Sequence, residues 1–415
     1  MRRIHDIILY KATAIVMTAV AILLTLSMPT SCCRHNRIVD EDDMPITLRV
    51  SSTDTKAAVN SLADMANQCF TLSGGTYTLT QGAGFGVYGF KYMSGSQTTL
   101  TLFRNQLVQP GNTVEETQEG VTDANWSYTP VKYWDSNPNV YYHFLAYWPR
   151  VDNPDDGNEP ANQPYIKEDN EILTLYNIPY WQDGSTGSDF MFSAPRIGQY
   201  KSNNATPTPL FNDCKVHFEF SHILSHIVVQ AYYVGDIDNR VTINNLTMRG
   251  INFLSDDGHV ESYTKQMFSN EGSYSTATNT AETVTAKDNI PKVLYNDNTG
   301  FTLSQQAFYD AESQHHNVLL PDKVCSWLTV PSDGWSNLDL DLSFSISDGA
   351  TAGPAQRSTI RNLSFDTGSA AGTTLSGKSY TLTLKFNSAG GGVTLEEVYV
   401  KDWTEQNIAY EVYNW

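Results

Sequence analysis

The chain is poor in the motifs that carry chemistry. It has no Cys-x-x-Cys pair, no His-Glu-x-x-His, no Gly-x-Ser-x-Gly elbow and no Walker loop. A zinc ribbon, a dithiol redox centre, a zincin, an elbow hydrolase and a P-loop enzyme are therefore unsupported. Helical periodicity is scarce, with short candidates only at Ala57–Met65 and Ser304–Ser313. Positive charge is scarce too: 26 Lys and Arg stand against 45 Asp and Glu, a net charge of −19. Phosphate binding needs a basic surface, so no nucleic acid is expected as a partner. A single long apolar stretch, Ala12–Met28, leaves nothing later to cross a membrane. No short-period repeat suggests a propeller or solenoid.

What is present begins at the N-terminus. Arg2 and Arg3 precede the 17-residue apolar run, which leads into Pro29-Thr30-Ser31-Cys32-Cys33. This arrangement resembles a bacterial lipoprotein signal peptide. The resemblance implies removal of residues 1–31 and acylation of Cys32, with Cys33 the alternative, since Pro29 stands where Leu is usual. Two or more acyl chains would anchor the protein stably to the outer membrane. An uncleaved transmembrane anchor is the other reading. Losing Arg2, Arg3, Lys11 and Asp6 changes the charge by −2, from −19 to −21. Asp40-Glu41-Asp42-Asp43 makes residues 32–44 an acidic tether. Of five cysteines, Cys33, Cys69, Cys214 and Cys325 remain after Cys32 is used; isolated buried thiols are expected, with a structural disulfide as the alternative.

Alternation with period two dominates the rest. Leu338, Leu340, Leu342, Phe344 and Ile346 interleave with polar residues; so do Tyr380, Leu382, Leu384 and Phe386, and Val216, Phe218 and Phe220. Each run has one dry and one wet face, the pattern of antiparallel sheets packed as a sandwich. Val140–Trp148 is apolar on both faces and is expected to lie deeper. The polar, proline-rich stretch 198–209 marks a boundary. The fold expected is all-β, with two β-sandwich domains in tandem, 45–205 and 206–415, each of ordinary domain size.

Candidate ligand residues are few. His217, His222 and His226 cluster in sequence, but strand geometry separates i and i+4 by about 13 Å, too far for one zinc, so no metal is expected. Asp152–Gly157 mimics the start of a calcium loop, yet Pro154 and Gln163 occupy ligand positions, and an ordinary acidic turn is expected. No cofactor site is read. Trp126, Tyr128, Tyr133 and Trp134 surround Pro130, while Trp181, Trp327 and Trp335 lie in or beside loops. Such rings either stack on sugars or fill a wide core.

Several segments together resemble the fimbrillin family of Bacteroidetes, the FimA/Mfa-like pilins. They are Phe85–Phe90, Trp126–Trp134, Phe144–Pro149, Asp189–Ala194, Phe218–His226, Ile243–Asn252 and Gly377–Trp403. The resemblance runs from about residue 45 to the end. It implies transthyretin-like sandwiches, a fimbrial or adhesive role at the cell surface, and no enzyme activity. It also implies assembly by strand exchange. A protease cuts after Arg or Lys, the first strand leaves, and another subunit's strand fills the groove by β-augmentation.

In this sequence the first strand is Ile46, Leu48 and Val50 alternating with Thr47 and Arg49; the cut falls after Lys56, or alternatively after Arg49. Ile408, Tyr410 and Val412 form a candidate donor strand, unless that segment pairs within its own domain. Expected partners are other fimbrial subunits, the outer membrane through the lipid, and host or bacterial surface ligands. The alternative function is a monomeric surface glycan-binding lipoprotein using loop Trp residues.

Overall fold

The computed structural model describes residues 44–50, 69–73, 76–93, 99–110, 126–161, 163–179, 181–184, 189–200, 215–234, 239–251, 259–266, 272–275, 292–303, 308–309, 316–317, 321–331, 336–348, 351, 353–363, 365, 376–387 and 393–402. Among the described residues the regular elements are all strands. The chain is all-β.

First comes β1 (Thr47–Val50), then a hairpin of β2 (Phe70–Ser73) and β3 (Thr76–Leu79). β4 (Phe85–Met93), β5 (Thr99–Pro110), β6 (Trp126–Ser127) and β7 (Val140–Trp148) follow. β8 (Tyr165–Asp169) and β9 (Ile172–Pro179) pair as a hairpin. Three short strands come next: β10 (Trp181–Asp183), β11 (Met191–Ser193) and β12 (Arg196–Gly198). β13 (Lys215–Phe218), β14 (Phe220–His222) and β15 (Ser225–Val234) run in close succession. β16 (Asn239–Ile251), β17 (His259–Gln266), β18 (Gly272–Ser275) and β19 (Lys292–Thr302) precede the small pair β20 (Phe308–Tyr309) and β21 (His316–Asn317). The last five are β22 (Asp322–Thr329), β23 (Ser336–Asp348), β24 (Ala355–Leu363), β25 (Lys378–Asn387) and β26 (Val393–Asp402).

Among the described residues, four larger sheets organise most of these strands, and β1-β13, β2-β3 and β20-β21 are two-stranded pairs. One has the order β14-β11-β7-β4-β5-β6, with β12 also on β7; the others are β10-β22-β15-β25-β26, β19-β16-β23-β24 and β18-β17-β9-β8. β7 is the strand read as unusually deep. Tyr142, Phe144, Ala146 and Trp148 enter one core, whereas Leu145 and Tyr147 enter the other. A sheet covered on both faces needs apolar residues at both parities, which is why β7 shows no alternation. β15 has one dry face and alternates strictly between buried and half-buried positions along its length.

Two glycines in β4 make room for rings. A Cβ on Gly86 would lie 2.3 Å from the Tyr147 ring, and one on Gly89 would meet Phe103 at 2.7 Å and Phe144 at 2.9 Å. The aromatic rings of β5 and β7 therefore pack directly on the β4 backbone.

Two expectations change. Most pairs are antiparallel, but β1–β13 and β15–β25 run parallel. Parallel neighbours need a long crossover, and both pairs are far apart in sequence. Within Ser304–Ser313, Phe308 and Tyr309 are extended and paired with His316–Asn317, so they are not helical; adjacent aromatics favour strand. Ala57–Met65 lies outside the described residues. The pairing pattern also joins strands from before and after residue 205. β13 and β14 pair with β1 and β11, while β9 and β10 pair with β17 and β22. Core composition follows the pairing: Val216 and Phe218 share the smaller core with Leu48, and the larger core runs from Tyr88 to Phe386.

Candidate functional site: the first strand and its groove

The apolar residues of β1 and of the position just before it are deeply placed. Ile46 and Leu48 are 2% and 1% exposed, and Val50 packs half-buried against the same core. Phe85 and Val87 of β4, Trp126 of β6, and Val216 and Phe218 of β13 belong to that core. Phe85 meets Trp126 edge-on at 4.9 Å and Phe218 at 6.0 Å. Burying two such aliphatic side chains contributes roughly 3–6 kcal/mol. Thr47 to Val50 lie in parallel register with Lys215 to Phe218, which sets Arg49 opposite His217.

A second set of partners holds the residues just before β1. The Ile46 amide donates to the Lys132 carbonyl at 2.8 Å, and the Trp134 amide donates to the Met44 carbonyl at 2.9 Å. These bonds flank an antiparallel bridge between Pro45 and Tyr133. Proline fits there because the residue between the two bonds needs no N–H. The Tyr128 hydroxyl donates to the Ile46 carbonyl at 2.7 Å and accepts from the Lys132 amide at 3.3 Å. Burial raises the Tyr128 pKa, which keeps the hydroxyl protonated as a donor.

The turn carrying these groups is fastened at both ends. Tyr128 meets Phe103 edge-on at 5.1 Å; Trp134, 1% exposed, meets Tyr142 at 4.8 Å and stacks on Tyr200 at 5.3 Å. The Gln106 side-chain amide donates to the Thr129 carbonyl at 3.1 Å. Sequence reasoning singled out the aromatics of this turn but missed their partnership with Met44–Ile46. The available signal was alternation around Pro130, with Trp126, Tyr128 and Trp134 inward and Val131 and Tyr133 exposed.

The remaining candidates disperse. His222 faces Asp189 at 2.7 Å, and His226 faces Ser379 at 3.2 Å. Among the described residues, no group of three His, Cys, Asp or Glu is placed to hold a metal ion. In the calcium-like loop, the Lys167 ammonium donates to Asp156 and Glu159, and both bonds push its pKa up. An internal cation thus occupies the carboxylates of that turn. Trp126, Trp134 and Trp181 are buried, and Trp327 is half-buried beneath the Lys292 ammonium. Those rings are core or covered, as the wide-core reading anticipated. Cys69 and Cys325 are thiols whose pKa burial pushes up to about 12. Cys32, Cys33, Lys56, Cys214, Trp335, Ile408, Tyr410 and Val412 lie outside the described residues.

A sequence model described as fimbrillin-like matches residues 55–403. The chain belongs to the fimbrillin-like family. Among solved structures, this fimbrillin-like chain is similar to a fimbrial protein from Bacteroides vulgatus, at 14% identity and a TM-score of 0.48, covering 87% of this chain and 99% of that one. It is also similar to the tip fimbrial protein Mfa3 from Porphyromonas gingivalis with a C-terminal truncation. That pair shows 9% identity and a TM-score of 0.31, with coverage of 77% and 94%. No curated protein sequence matches. Family membership rests on the sequence match over residues 55–403.

Proposed function

We propose that this protein is a structural or adhesive subunit of cell-surface fimbriae, exported as an outer-membrane lipoprotein and assembled by strand exchange. In this reading residues 1–31 are a signal peptide, Cys32 (or Cys33) carries the lipid, and two sandwiches follow in tandem. The observation that carries it is β1 itself. β1 and the residue just before it plug an aromatic-lined core with Leu48 and Ile46. Their departure would leave an apolar groove and a bare β13 edge, and a strand with similar alternation would restore both.

Processing after Lys56 fits this arrangement better than processing after Arg49. Arg49 lies inside β1 in register with β13, and its backbone must unpair before a protease can reach it. No catalytic role is assigned. The partners are further copies or related subunits, with Ile408, Tyr410 and Val412 as the candidate donor.

Low-dose trypsin on purified precursor tests the reading. It is expected to clip near Lys56 and yield SDS-resistant ladders. Clipped protein that stays monomeric defeats strand exchange. Deleting residues 408–415 is expected to stop polymerisation, and unchanged fibres would exclude that segment as donor. Cys32→Ala is expected to abolish acyl labelling; persistence moves the lipid to Cys33.

A further inference from the structure

Between them, β13 and the Tyr128–Trp134 turn hold the segment Met44–Val50, and the two do different work. The β13 ladder would pair with any extended backbone. The turn instead addresses three defined atoms: the Met44 carbonyl, the Ile46 amide and the Ile46 carbonyl. Shifting β1 by one residue would bring Thr47 opposite the turn and drive Ile46 and Leu48 to the solvent face. Only one register satisfies both the turn and the core.

Tyr128 is the pivot of this turn. Its hydroxyl ties the Lys132 amide to the Ile46 carbonyl, while its ring is seated on Phe103. We propose that Tyr128 is a latch on β1: its hydroxyl bond to Ile46 sets how often the first strand opens and in which register it, or a replacing strand, sits. The residue is a positioning group and undergoes no chemistry. Its role in assembly rests on the strand-exchange reading above, but its effect on opening does not.

The turn also specifies its occupant. A strand from a second copy that replaces β1 must present an N–H where Ile46 now donates to Lys132, so proline is excluded at that position. It is tolerated one residue earlier, where Pro45 sits.

Amide hydrogen exchange on the intact, uncleaved chain tests the latch. Tyr128→Phe keeps the ring and removes the hydroxyl. Exchange at Ile46 and Trp134 is expected to rise about fivefold, the effect of losing one neutral hydrogen bond. Exchange in β15, at Ile227–Ala231, is expected to stay unchanged. Gln106→Leu, which unfastens Thr129 from the sheet, is expected to accelerate the same two amides. No acceleration in either variant overturns the proposal. Equal acceleration in β15 also overturns it, because Tyr128 would then support the whole fold and not β1. If trypsin-clipped protein forms no fibres while Tyr128→Phe still loosens Ile46, strand exchange fails and the latch stands.

Discussion

β1 and β24 both lie at the edge of a sheet, yet they are built on opposite principles. β1 has four residues, and with the preceding Ile46 it sends two side chains almost wholly into a core. β24 has nine residues on a long ladder with β23, and of these only Leu363 is buried. Arg357 and Arg361 stand exposed on β24, which blunts an edge against pairing with another chain. The first strand therefore holds through its side chains and the second through its backbone. A side-chain plug can be replaced by a strand with the same apolar spacing that also offers the turn an N–H at the Ile46 position. A charged, shallow edge gives an incoming strand little to bury.

The largest expected effect comes from emptying the plug. Leu48→Ala leaves a cavity in the core that also holds Phe85 and Phe218, and a loss of about 2–5 kcal/mol is expected in urea unfolding. A loss below about 1 kcal/mol would mean that β1 contributes no more than β24 does.

Next is the floor of the same core. Gly89→Ala puts a methyl against Phe103 and Phe144, and overpacking is expected to cost about 1–3 kcal/mol. Thermal unfolding at matched pH measures it.

A smaller effect is expected from His143. The ring is buried, with Nδ1 3.3 Å from Glu171 and Nε2 2.8 Å from the Tyr92 hydroxyl. Desolvation lowers its pKa in the folded chain and outweighs the raising influence of Glu171. The unfolded chain then takes up the proton first as pH falls. This contribution is full above about pH 6.5 and is lost as pH falls from there toward the folded value. Urea midpoints at pH 7.5 and pH 5 are expected to diverge more for the native chain than for His143→Gln. Equal slopes would refute the assignment.

The smallest effect is expected on β24. Arg357→Thr with Arg361→Thr should change stability by no more than about 0.5 kcal/mol each. The double variant is expected to self-associate at concentrations where the native chain does not, as read by light scattering. An unchanged association state would show that the arginines do not guard the edge.

Much of this was written in residue order. Alternation in β23 and β25 identified strands and their dry faces, because a strand's side-chain period is two whatever it packs against. The double-sided apolar pattern of Val140–Trp148 announced a covered sheet for the same reason. Ile46 and Leu48 were legible as inward residues. The pairing of β9 with β17, the parallel partnership of β1 with β13, and the turn that grips Ile46 were not legible. Each joins backbones distant in the chain, and a backbone hydrogen bond leaves no mark on residue identity. Likewise, Asp152–Gly157 read as an ordinary acidic turn, and only the hairpin of β8 and β9 brought Lys167 to Asp156 and the nearby Glu159. By itself, then, the sequence determined which side chains must avoid water. Which strand lies beside which was decided in three dimensions, where many registers satisfy the same apolar pattern and the packing of Phe85, Phe103, Trp134 and Phe218 admits one.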